Sequence, residues 1–195
     1  MGQKMNSLCQ ESRSRESVWL HVNYMNTLCD IAPNRLQKID LETEQIAPAK
    51  HSGQIYSRIL VGTDFSTAST AAFEQGLKLA KQNGAELLVA HASVVPSTLC
   101  FMPPESYIEW EERCRTEAEK NLVPLMQKAR QEGVKAHKLL LEGLADNVII
   151  ETAERLGVDL IVIGTHGRRG VSRFCMGSVA SRVVSRALCA VLTAR

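Results

Sequence analysis

From Arg58 onward the chain alternates between two hydrophobic periodicities. Ile59-Leu60-Val61-Gly62 is apolar on both faces, as a short buried strand is, and runs into Thr63-Asp64-Phe65-Ser66. Ser66 is placed to cap a helix, and Phe73, Leu77 and Ala80, at helical spacing, give that helix an inner side. Asn83-Gly84 ends it, because glycine enters the left-handed region without a Cβ penalty. Glu86 to Ala92 reads as a second strand, and Pro96, Pro103 and Pro104 break the chain after it. Between Glu105 and Glu132 the apolar stripe Ala118, Leu122, Leu125 and Ala129 predicts a charged helix, which Pro124 should kink or split in two. Strands over Val134 to Leu141, Asp159 to Ile163 and Cys189 to Thr193 alternate with helices over Leu144 to Leu156 and Ser178 to Ala187.

Strand and helix in strict alternation, with strands apolar on both faces, predict an α/β fold. It is a doubly wound, mostly parallel five-stranded sheet of Rossmann-like type with helices on both faces. Residues 1–55 show no sustained periodicity and end in the turn-like run from Ala47 to Gly53, so they are expected to be a disordered or poorly packed extension. Residues 56–195 form the expected domain.

Composition narrows the possibilities. With 195 residues, 45% of them hydrophobic, the chain suits one full-sized domain. A net charge of +2, from 23 basic and 21 acidic side chains, lacks the broad positive surface that nucleic acid demands. The six cysteines form no C-x-x-C pair, which predicts reduced thiols in a cytoplasmic protein. No apolar run approaches the roughly 20 residues of a membrane span.

In sheets of this kind ligands lodge beyond the carboxyl ends of the strands. That directs attention to Gly62 to Ser66, Ala92 to Val95 and Gly164 to Ser178. The last of these leaves a strand and enters a helix, where glycines admit an anion close to the backbone and free helix-start amides attract it. Ser178 can add a hydroxyl donor, and Arg168, Arg169 or Arg173 can screen the negative charge. Asp64, at a strand end, either accepts from ribose hydroxyls or approaches a phosphate-bound metal, or else only caps the following helix. His166 either meets phosphate or shapes the loop.

Gly164, Gly167 and, after nine residues, Gly177-Ser178 form a G-x-x-G-x9-G-[S/T] pattern, and the span from Tyr56 to Arg195 resembles the universal stress protein family. Ile59 to Ser66 looks like that family's first strand and acidic turn, and Leu160 to Gly167 is similar to its most recognisable stretch. The resemblance implies ATP as ligand, with magnesium admitted through Asp64. It implies that Thr63 and Asp64 lie near ribose and adenine and that Ala92 lines the base pocket. Ile163, Gly164, Gly167, Gly177, Ser178 and Val179 are then expected around the remainder, and Gly62, His166 and Arg168 join them as nucleotide-binding candidates from their places at the strand end and in the loop. It also implies a homodimer through the last strand.

The expected function is nucleotide-dependent regulation or stress protection without catalysis, since no lysine-bearing G-x-x-x-x-G-K-[S/T] loop and no fixed nucleophile are visible. A slow ATP-hydrolysing or adenylating enzyme and a nucleotide-free interaction module are the competing readings.

Overall fold

A computed structural model describes residues 55–96, 98, 103–166 and 176–195. The expected extension over 1–55 therefore lies, apart from Ile55, outside the described residues. The strands are β1 (Arg58–Gly62), β2 (Glu86–Ser93), β3 (Ala136–Glu142), β4 (Leu160–Gly164) and β5 (Ala190–Ala194). The helices are α1 (Thr67–Asn83), α2 (Pro104–Gln131), α3 (Ala145–Leu156) and α4 (Ser178–Arg186). All strand pairs are parallel, in the order β3-β2-β1-β4-β5. The chain builds outward from β1 to β3, then returns to place β4 on the other side of β1. The carboxyl ends of β1 and β4 therefore flank the crevice where this topology accommodates ligands.

The alternation of the strands sorts their side chains between two cores. Ile59, Val61, Leu87, Val89, Leu160 and Val162 pack against Phe73 and Leu77 of α1 and Leu122 and Ala129 of α2. Leu60, Leu88, Leu139, Leu141, Ile161 and Ile163 pack against Val148 and Ile149 of α3 and Ala180 and Val183 of α4. Each fully buried side chain of this size stabilises the fold by about 1.5–3 kcal/mol, which explains why the central strands β1 and β4 are apolar on both faces.

The helix ends follow the sequence signals closely. The Ser66 hydroxyl accepts from the Ser69 amide at 3.3 Å, and Gly84 and Gly157 end α1 and α3 with φ of 63° and 61°. Two expectations need correction. Of the kink or split expected at Pro124, the split is excluded, because α2 runs unbroken from Pro104 to Gln131. Proline forfeits one intrahelical bond, but Leu122 and Ala129 anchor the helix on either side of it, and Lys128 reaches Glu74 of α1 at 2.6 Å. β3 begins at Ala136, later than Val134, since the Val134 amide closes the end of α2 on the Ala129 carbonyl at 2.9 Å.

The amino edge of the sheet is tied by charge. Asp159 Oδ2 accepts from the amides of Ser57 and Arg58 at 2.7 and 2.9 Å. The buried Arg58 guanidinium meets Glu86 Oε2 at 2.9 Å and also donates to the Leu156 carbonyl, and Lys135 reaches the other oxygen of Glu86. Burial would raise the Glu86 carboxyl, yet the hydrogen bonds from Lys135 and Arg58 together with their charges hold it below its usual range.

These contacts belong to a compact unit that includes Ile55–Val94 and Cys114–Arg195, whereas Val95–Arg113 belongs to a second unit. Within the second unit the Tyr107 and Trp110 rings lie tilted with centroids 5.9 Å apart. No helix among the described residues is long and apolar enough to cross a membrane.

Candidate functional site

The turn after β1 is built almost entirely from its own polar groups. The Thr63 amide extends the sheet ladder to the Ala90 carbonyl at 2.8 Å, and the Thr63 hydroxyl accepts from the Phe65 amide at 3.1 Å. Asp64 Oδ1 accepts from the Ser66 amide at 3.0 Å, so the helix-entry role weighed for this carboxylate is present in the fold. The turn places Phe65 at φ 62°, a left-handed conformation that a bulky side chain rarely adopts and that costs energy. Its ring stacks on His91 at 4.5 Å, while His91 Nδ1 lies 2.9 Å from the Thr63 carbonyl oxygen. A carbonyl can only accept, so Nδ1 carries a proton. His91 thereby ties the end of β2 to the turn after β1.

The residues at the strand ends divide between the two faces. Gly62 and Ile163 face the α3 and α4 side, where a Cβ on Gly62 would come within 3.0 Å of Ile149 Cδ1. Ala92 is half-buried and packs against the same core. Gly164 faces α1, and a Cβ there would lie 2.7 Å from the Ala68 carbonyl carbon and 2.9 Å from the Ser69 amide nitrogen. This glycine lets the first turn of α1 rest on the end of β4, a packing role that the sequence motif did not separate from ligand contact.

Beyond β4, the Thr165 amide donates to the Ala194 carbonyl and the Thr165 carbonyl accepts from the Gly177 amide, both at 2.8 Å. The Gly177 amide is therefore engaged within the protein, and the helix-start donors that remain for an anion belong to the residues after it. α4 opens at Gly177 without a side-chain cap among the described residues, and the Gly177 carbonyl accepts from Ser181 at 2.9 Å. The amides of Ser178, Val179 and Ala180 have no partner inside an α-helix and carry the positive end of its dipole. Ser178 is exposed and Val179 half-buried beside this opening.

His166 stands next to it. Its Nδ1 pairs with the Thr165 hydroxyl at 2.9 Å, while Nε2 is buried with no hydrogen-bond partner among the described residues. A buried ring nitrogen without a partner costs free energy until something supplies one. Gly167 and Arg168, with Arg169, Arg173 and Cys175, lie outside the described residues. Among the described residues no group of three or more His, Cys, Asp or Glu could hold a metal ion.

The structure thus brings Thr63, Asp64, Ile163, Gly164, His166, Gly177 and Ser178 to one edge of the sheet, with Ala92 at the end of the adjoining β2. It adds Phe65 and His91, which the sequence reading left unassigned. The one signal for His91 was an ionisable side chain after the apolar run Leu87 to Ala90 of its strand.

Comparison with known proteins bears on the whole domain. The model of the universal stress protein family matches residues 55–195. A universal stress protein of Methanocaldococcus jannaschii is 35% identical over 149 residues, which span 75% of this chain and 86% of the relative. The universal stress protein UspA of Lactobacillus plantarum superimposes with a TM-score of 0.64 at 25% identity, covering 72% of this chain and 98% of that one. A universal stress protein of Archaeoglobus fulgidus, solved in complex with dAMP, superimposes with a TM-score of 0.53 at 24% identity, covering 72% and 99%.

Proposed function

Because the chain belongs to the universal stress protein family, we propose that it binds an adenine nucleotide, ATP, across the carboxyl ends of β1 and β4 and works as a regulatory, stress-protective protein of the cytoplasm. The observation that carries this reading is the pairing of two unmet needs at the end of β4. The start of α4 has no side-chain cap, and the buried Nε2 of His166 has no partner among the described residues. If the Thr165 hydroxyl donates to Nδ1, the neutral ring carries its proton on Nε2, which then faces an anion as a donor beside the amides of Ser178 and Val179. Phosphate satisfies all of these donors at once.

The bound dAMP of the Archaeoglobus protein supports adenine as the base. In this arrangement Thr63 and Asp64 would meet ribose and base, Ala92 would line the base pocket and Ser178 would face the phosphates, and Asp64 is the residue that would help hold a phosphate-bound magnesium, whose charge would offset that of the phosphates. Occupancy acts by favouring one conformation over another, so ATP has to remain bound longer than it is hydrolysed. β5 is an edge strand, and Leu188 and Leu192 beside and on it are exposed. Covering that edge with the same strand of a second copy gives a homodimer.

Titration calorimetry with ATP, AMP and GTP, together with a steady-state phosphate-release assay, tests the reading. ATP and AMP should bind, GTP should bind far more weakly, Asp64→Ala should weaken ATP, and phosphate release should stay at the buffer rate. Absence of heat with both ATP and AMP, at protein concentrations where the fold is intact, removes the proposal. Release abolished by Asp64→Ala would make the protein an enzyme instead.

A further inference from the structure

α4 is a short helix asked to hold its start in a fixed place. It spans Ser178–Arg186, and Ala180 and Val183 are its buried residues. A helix of this length is marginal alone, so its orientation depends on what its other face touches. That face carries Arg182 and Arg186, one turn apart, and both reach the same oxygen of one acid. Asp146 Oδ2 lies 2.8 Å from Arg182 Nε and 3.5 Å from Arg186 Nη1, and Arg186 Nη1 also donates to Asn147 Oδ1 at 2.8 Å. The Asp146 side chain is 5% exposed, whereas those of both arginines are 52% exposed.

Asp146 stands in the first turn of α3, where the helix dipole favours a carboxylate. α3 follows β3 and α4 follows β4 in a parallel sheet, so both helices begin at the carboxyl edge that holds the candidate site. Nothing in the chemistry of anion binding requires a buried acid so near that edge, since its charge opposes an anionic ligand. Its two arginine partners give it another purpose.

We infer that Asp146 is a positioning residue: it clamps Arg182 and Arg186 so that the opening amides of α4 stay aimed at the ligand phosphates. The inference rests on the nucleotide reading above and names how that site is kept in register. The clamp differs in sign from a simple field effect. Asp146→Asn removes a negative charge, which by field alone tightens an anion, whereas loss of the clamp loosens it.

The test compares ATP with adenosine by calorimetry on the wild type, Asp146→Asn, the double variant Arg182→Gln/Arg186→Gln, and the triple combination. Positioning predicts that Asp146→Asn weakens ATP by about three- to tenfold, the scale of a helix-terminus contribution, while adenosine affinity is unchanged. The arginine variants, altered at exposed side chains, should weaken ATP similarly, and the triple variant should be no worse than either, because one interaction is removed only once. Tighter ATP binding by Asp146→Asn, parallel loss of adenosine, or fully additive losses would overturn the clamp while leaving the nucleotide site standing. A wild type that takes up neither ligand would overturn both.

Discussion

The amide of Gly177 donates to the carbonyl oxygen of Thr165 at 2.8 Å, which joins the residue after β4 to the residue before α4. This bond fixes where the chain leaves the sheet and where it returns, whatever the segment between them does. It also hands the task of meeting an anion to the next amides of the helix. A side chain at Gly177 would already crowd the same carbonyl, since a Cβ there lies 3.2 Å from the Thr165 oxygen.

Replacing Gly164 should cost stability through contact with backbone. The added carbon of Gly164→Ala meets backbone atoms of Ala68 and Ser69, which cannot swing aside as a side-chain tip can. A loss of about 1–3 kcal/mol is expected from such overpacking. Urea denaturation should show a lower midpoint with an unchanged slope, and an unshifted midpoint would mean that α1 is free to lift from β4.

The amino edge should carry acid sensitivity. The folded-state pKa of Glu86 lies below its ordinary value of 4.5, so its contribution is fully present above that value and is lost as pH falls through the depressed folded value. Glu86→Gln should cost about 2 kcal/mol at neutral pH, because buried Arg58 loses its ionised partner. The gap between variant and wild type should then narrow in acid below pH 4.5. Denaturation midpoints measured from neutral pH down to acid decide it, and a gap that widens in acid contradicts the assignment.

Cys189, at the entry to β5, should be a sluggish nucleophile. Burial pushes its thiol pKa up, leaving little thiolate near neutrality. Mass-spectrometric timing of iodoacetamide labelling should find it slower than free cysteine at pH 8, because the thiolate is the reacting form. Labelling as fast as the free amino acid would show the strand end to be open.

The outer strand gives a direct test of association. Leu192→Arg places a charge on the exposed side of β5, where a symmetric pair of strands would bring two such charges close together. Sedimentation should change from a dimer to a monomer while the far-ultraviolet circular dichroism stays the same. A monomeric wild type would rule out the β5 pairing.

Periodicity alone determined the alternation of strands and helices and the class of the sheet, because a strand covered on both faces is apolar at successive positions and a helix on one face only. Ser66, Gly84 and Gly157 announced their helix ends for equally local reasons, a hydroxyl that caps and a backbone that tolerates positive φ. The candidate site was legible as an edge of the sheet, since parallel topology puts the ends of β1 and β4 side by side. Which atoms at that edge are already engaged was decided only by the tertiary structure. Gly164 is spent on the approach of α1, Gly177 on a bond to Thr165, and Asp146 on two arginines of a helix distant in sequence. Each of these depends on groups brought together across the fold, and a one-dimensional pattern records what a residue is able to do but not which neighbour has claimed it.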